Sequence, residues 1–160
     1  MSMVEIHNSV AKVYEENIDN LEIFECLDEF SDTQNFCDHY GFDIEDSCNA
    51  ILIKAKKPEE FYAMFCVLGA NRLDVNHKAK EAMGAKRVSF ASREEAEAVT
   101  GQIYGGISPL GLPENIKVYM DKNVTDREKL FIGAGNRVSK FFLSPETLID
   151  LSSAKVLDLT

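Results

Sequence analysis

Apolar residues recur along this chain with two different periods, and the breaks between them fall on glycine, proline and capping residues. Val4, Val10, Val13, Tyr14 and Ile18 return at roughly helical spacing, which predicts an amphipathic helix over residues 3–18. A short strand is expected over 21–26 and a helix over 32–40, stopped by Gly41. The runs 49–55 (N-A-I-L-I-K-A) and 61–68 read as strands joined through Lys56, Lys57 and Pro58. Asp74 is placed to cap a helix over 75–83 that Gly84 closes. Strands are predicted at 87–90, 116–120, 129–132 and 139–143. A helix follows Ser92, whose partner Glu95 completes a capping-box pattern, and a last helix opens on Ser144 and Pro145. Strands and short helices mix without a steady alternation, so the expected fold is α/β with a mixed, curved, barrel-like sheet surrounded by short helices.

Between the Ser92 helix and the 116–120 strand lies the stretch that the pattern leaves unassigned. Residues 101–111 read G-Q-I-Y-G-G-I-S-P-L-G. Glycines let a backbone turn sharply and approach a ligand closely, and proline stiffens the turn. No Gly-Lys-Ser/Thr follows, so this is not a Walker loop, and it follows a helix, not the strand that a dinucleotide fingerprint requires. What it offers is backbone N–H and C=O groups, which can steady a developing oxyanion or hold a water. Ser108 lies in the loop, but G-I-S-P lacks the second glycine of a nucleophile elbow. An ester needs little more than a positioned water and charge stabilisation, so the lack of a side-chain nucleophile is compatible with a hydrolase that sets water against an activated ester.

Composition narrows the setting. The chain has 160 residues, 45% of them hydrophobic, enough for one domain with a real core. No apolar run reaches the ~18 residues of a membrane span, and no secretory leader is evident, so a cytoplasmic location is expected. Cys26, Cys37, Cys48 and Cys66 form no C-x-x-C pair, and His7, His39 and His77 are scattered, so the cysteines are expected to be buried thiols and no metal or other cofactor is expected. The net charge of −10 is uneven: residues 1–50 hold one basic and thirteen acidic residues, whereas residues 51–160 hold 16 basic and 14 acidic. General acidity argues against indiscriminate nucleic-acid binding, and any RNA-facing surface must come from the second part.

The order and spacing of several short motifs resemble the YbaK-like family, the stand-alone relatives of the editing domain found in bacterial prolyl-tRNA synthetases. These are the 49–55 strand, G-A-N-R-L-D with Lys78 and Lys80 beyond it, G-A-K-R-V at 84–88, T-G-x-x-x-G-G-I-S-P-L-G at 100–111, and G-A-G-N-R at 133–137 leading to L-S-P-E-T-L at 143–148. The likeness treats residues 1–160 as a single editing domain and is strongest over 33–151. It implies hydrolysis of the ester joining a wrong amino acid to tRNA, chiefly tRNA for proline, without a metal. The implied partners are the aminoacylated tRNA 3′ end and prolyl-tRNA synthetase, with no membrane; the oligomeric state is left open. Gly105 and Gly106 would supply backbone groups at the ester, and Gly101, Ser108, Pro109 and Gly111 would complete a loop around the substrate, with Ile51 in the wall.

Two positions depart from the family pattern. Asn49 stands where the family places a substrate-contacting lysine, and Lys54, five residues on, belongs to the opposite face of the strand. Lys140 stands where at least some relatives carry a polar or acidic residue facing the pocket. Two placements of Lys140 fit the sequence: an ammonium returned to the pocket from a neighbouring strand, or a solvent-facing residue on an edge strand. Two functions fit as well: a deacylase in which Asn49 and Lys140 orient the aminoacyl group, or an impaired relative that binds a tRNA end, a small ligand or a protein.

Overall fold

The computed structural model describes residues 4–160. The first helix, α1, runs Asn8–Glu16, shorter than its periodicity suggests, because His7 turns the chain out of helix and accepts a hydrogen bond from the Ser9 N–H. Met3, the first residue of the predicted helix, lies outside the described residues. Local capping chemistry fixes the other helices as expected. α2 (Thr33–Tyr40) is closed by left-handed Gly41, and Asp32, read as its first residue, is instead its N-cap. α4 (Arg93–Thr100) carries the full Ser92–Glu95 capping box, and α5 (Pro145–Ser152) starts at Ser144 with proline in its first turn. The 75–83 segment departs from a plain α-helix. Asp74 caps a π-helical turn, Val75–Ala79, which runs into α3 (Lys80–Met83).

Among the described residues, eight strands form two sheets. The larger has the order β4 (Arg87–Phe90), β2 (Cys48–Lys57), β3 (Phe61–Leu68), β5 (Lys117–Asp121), β8 (Lys155–Leu157). It is mixed: β2 is antiparallel to both β3 and β4, while β3–β5 and β5–β8 are parallel. Strand β8 is three residues long, too short to leave a pattern. Both faces of this sheet are covered, which explains the nearly unbroken apolar runs of β2 and β3. Leu52, Met64 and Val118 pack into the main core, while Ile53, Ala55, Phe65 and Val67 pack toward the α3 side. The smaller antiparallel sheet has β7 (Ser139–Leu143) between β1 (Glu22–Glu25) and β6 (Leu130–Gly133). Its aromatic cluster joins Phe24, Phe36, Phe131 and Phe142 and holds α2 in place.

The barrel-like closure expected from the sequence does not form. The sheets meet at one isolated parallel bridge, Ser47–Phe131. Strand β4 pairs with β2 only from Ile53 onward, and Ala91 closes the ladder by donating to the Leu52 carbonyl. The stretch Cys48–Ile51 therefore keeps a backbone edge that no ladder covers.

Lys54 lies on the face opposite Asn49, as strand alternation requires. Its Nζ donates to Glu95 Oε2 at 2.7 Å, and the Tyr62 hydroxyl donates to the same oxygen at 2.9 Å. These bonds and the cap hold the Glu95 carboxyl down to about 2, with Lys54 the largest cause. A depressed carboxyl stabilises the fold above its unfolded pKa, and that contribution is lost as pH falls through the folded value. Thermal melts of wild type and Glu95→Gln should therefore differ at pH 7 and converge between about pH 4.5 and 2. A gap that persists at pH 2 would rule this linkage out.

Candidate functional site

Beside the Ser47–Phe131 bridge, a cavity of about 440 Å³ opens between the two sheets. One wall is the uncovered β2 edge, including Asn49 and Ile51. The opposite wall is the smaller sheet, with Gly133 and Lys140, and the glycine loop crosses between them through Gly105, Gly106 and Ile107. Ser31, Asp32 and Thr33, at the start of α2, complete the rim.

The loop is held by another loop. Ile103 N–H donates to the Gly135 carbonyl at 2.9 Å, and Gly135 N–H donates to the Gly106 carbonyl at 2.7 Å. The backbones lie so close that a Cβ on Gly106 would sit 1.8 Å from the Asn136 oxygen, and one on Gly133 would sit 2.4 Å from the Ile107 oxygen. The glycines of G-A-G-N-R and of the 101–111 loop are thus required by each other. Within the loop, buried Gln102 is the brace: its Nε2 donates to the Leu110 carbonyl at 2.9 Å, and its Oε1 accepts from Ser108 N–H. Gln102→Leu would leave both backbone groups buried without partners, a loss of about 2 kcal/mol or more. Urea unfolding reads this directly; a midpoint within error of wild type would exclude the bracing role.

Not every backbone group in the loop is free for a ligand. Gly106 N–H already donates to the Ile103 carbonyl, and its own carbonyl is taken by Gly135. Gly105 O accepts from the Ser31 hydroxyl at 3.3 Å. Among the described residues, the N–H groups of Gly105 and Ile107 have no partner, and these two residues line the cavity. Gly105 adopts φ +92°, with the Arg137 guanidinium against the position a Cβ would take. Arg137 also donates from Nε to Asp28 Oδ1 at 3.1 Å.

Lys140 is the second feature. It lies on the central strand of its sheet, paired with Phe24 on one side and Gly133 on the other, and is only 6% exposed. That excludes the solvent-facing placement. Its Nζ donates to the Ser31 carbonyl at 3.0 Å and sits 5.0 Å over the Phe36 ring. Among the described residues, no carboxylate lies within 4.0 Å of it. Burial pulls its ammonium below the ordinary lysine range; Arg137 adds to this, while Cys26, Cys37 and Asp32 oppose it. Ser31 thus touches both parts of the site, its carbonyl on Lys140 and its hydroxyl on Gly105.

Of the residues singled out in the sequence, Asn49, Ile51, Gly105, Gly106 and Lys140 come together around this cavity. The others do not reach it. Gly101 is the left-handed cap of α4. Ser108 is fully buried, its hydroxyl accepting from Leu110 N–H at 3.1 Å. Pro109 and Gly111 border a separate groove, and a Cβ on Gly111 would meet the Ser9 carbonyl of α1 at 2.2 Å. These four shape the loop from behind. Ser31, Asp32, Thr33 and Arg137 are the functional candidates the sequence reading missed. The N-cap pattern at Asp32 and the N-R pair in G-A-G-N-R were the available signals.

No side chain here is an activated nucleophile. The Cys48 thiol in the wall is held well above its ordinary range, first by its hydrogen bond with Cys66 and then by burial. The arrangement provides two backbone donors, one buried ammonium and room for a water.

The sequence model of the aminoacyl-tRNA editing domain matches residues 28–151, and the chain belongs to that family. EbsC of Enterococcus faecalis, a candidate Cys-tRNA(Pro)/Cys-tRNA(Cys) deacylase, is 30% identical over 92 residues, 58% of this chain and 56% of EbsC. A proline–tRNA ligase of Nautilia profundicola is 33% identical over 106 residues, 65% of this chain and 18% of the ligase. The chain thus spans about half of EbsC and under a fifth of the ligase. A crystal structure of a candidate trans-editing enzyme for prolyl tRNA synthetase superposes with a TM-score of 0.83 at 22% identity, covering 98% of this chain and 99% of that one. That likeness establishes the fold. Among the described residues, no helix is long and apolar enough to cross a membrane.

Proposed function

We propose that this protein hydrolyses misacylated tRNA in trans, with tRNA for proline as the first substrate to test. One observation carries the reading: Gly105 and Ile107, whose backbone N–H groups have no partner among the described residues, and the buried Lys140 line a single cavity. An ester carbonyl seated there would direct its oxygen at the Gly105 and Ile107 N–H groups, which stabilise charge developing in the transition state. A water adds to the carbonyl carbon, and the bond to the ribose oxygen breaks. The ribose oxygen takes one of the water's protons, the second is released, and the amino acid leaves as a carboxylate. Asn49 and Lys140 orient the aminoacyl group from opposite walls. The amide of Asn49 can hydrogen-bond a carbonyl, while the charge that family members place on that strand comes here from Lys140.

Kinship with proline–tRNA ligases supports tRNA for proline and prolyl-tRNA synthetase as partners, and a cytoplasmic site of action follows from that role. The test is deacylation of alanyl- and cysteinyl-tRNA for proline, with other mischarged tRNAs alongside, by wild type and Asn49→Lys. Wild-type turnover supports the reading. No wild-type turnover, with activity gained in Asn49→Lys, would instead mark a binding protein that has lost the chemistry.

A further inference from the structure

A second hollow, of about 470 Å³, adjoins the first and shares Asn49 and Ile51 with it. Those two side chains form a low divide between the hollows. The second lies on the α3 side of the sheet, beyond the point where β4 leaves β2, and its size falls within the range of about 300–1,000 Å³ typical of small-molecule sites. Phe90, the last residue of β4, borders it and is 62% exposed, the most exposed of the large apolar side chains among the described residues. Arg72 lines it, exposed and without an ion pair among the described residues. The Asn71 and Asn76 amides line it too, and neither makes a side-chain hydrogen bond with a described residue. The one carboxylate present, Asp74, is engaged: it accepts from His77 N–H at 3.2 Å and lies 3.1 Å from His77 Nδ1.

An exposed aromatic face, an unpaired guanidinium and two open amides match the parts of a nucleotide: a base to stack, a phosphate to neutralise and base edges to hydrogen-bond. The alternative ligand, an apolar molecule, would leave the guanidinium and both amides without partners. The position relative to the first hollow then fixes which nucleotide. If the ester and the terminal adenosine occupy the cavity beside the glycine loop, the strand preceding them must leave across the Asn49–Ile51 divide or into solvent. We propose that the second hollow receives the nucleotide preceding the terminal adenosine, its base stacked on Phe90 and its phosphate on Arg72. The proposal rests on the deacylase reading.

The experiment compares two substrates, misacylated tRNA for proline and the same amino acid esterified to adenosine alone, which has no preceding nucleotide. Loss of one base stack is expected to raise KM for the tRNA about tenfold in Phe90→Ala, with kcat unchanged and the adenosine ester cleaved as by wild type. Phe90→Tyr should restore KM. Arg72→Gln should weaken tRNA binding and flatten its dependence on salt. Phe90 is exposed, so the melting temperature of Phe90→Ala should match wild type. Unchanged KM for tRNA in both variants, or an equal loss on both substrates, overturns the proposal. Binding of the trinucleotide C-C-A to wild type and Phe90→Ala separates the two readings. If wild type cleaves neither substrate but C-C-A binding depends on Phe90, the deacylase reading fails and the subsite stands. If C-C-A binds both proteins alike, the subsite fails.

Discussion

Lys140→Met should leave the fold intact and reduce deacylation by about a hundredfold or more, the usual cost of removing one preorganised donor from a site of this kind. The ammonium is buried and, among the described residues, its one hydrogen-bond acceptor is a backbone carbonyl, so it stabilises the protein poorly. Methionine fills nearly the same volume without a charge to desolvate, and stability should stay level or rise by about 1 kcal/mol. The pH dependence tests the same point. Burial lowers the folded pKa of Lys140, so the unfolded chain holds that proton more tightly. The wild type should therefore gain stability relative to Lys140→Met as pH rises through the lowered folded pKa toward about 10.5. A variant that loses stability and keeps its turnover would show Lys140 to be a structural residue.

Gly106→Ala is expected to do the reverse, damaging fold and activity together. A methyl group 1.8 Å from the Asn136 oxygen cannot be accommodated unless one loop retreats, and the partner atom is backbone with no rotamer to change. Retreat breaks the bonds that join Ile103 and Gly106 to Gly135. Overpacking of this sort costs about 3 kcal/mol at the upper end of its range. Displacing the Gly105 and Ile107 donors by about 1 Å should remove ~99% of activity. Gly84→Ala is the control: its φ of +63° is strained for alanine, but nothing lies within 4 Å. It should cost about 1 kcal/mol and leave turnover alone. Equal stability losses in the two variants would mean that the close approach of the loops is not what requires glycine at 106.

Chemistry close in sequence was legible. Ser92 with Glu95, Asp74, Gly41 and Ser144-Pro145 mark helix ends because caps act over three or four residues. The apolar runs of β2 and β3 read as strands from their own residues. What was not legible depends on residues far apart. The reason for Gly106 is Asn136, thirty positions away, and the carbonyl partner of Lys140 is Ser31, more than a hundred away. Nothing in G-Q-I-Y-G-G-I-S-P-L-G tells which N–H groups are spent on the neighbouring loop and which stay open. The same limit hid the place of Ser108, which is buried, and of Pro109 and Gly111, which border another groove, and it concealed how far the two sheets fall short of closing.

The single Ser47–Phe131 bridge has a mechanical consequence. Two sheets joined by one residue pair are not locked together by a ladder, so the packing of Leu52 and Met64 against Ile132, Phe141 and Leu143 sets the distance between the walls that carry Asn49 and Lys140. A smaller side chain at one of those core positions should therefore alter the span of the cavity without touching any residue that lines it.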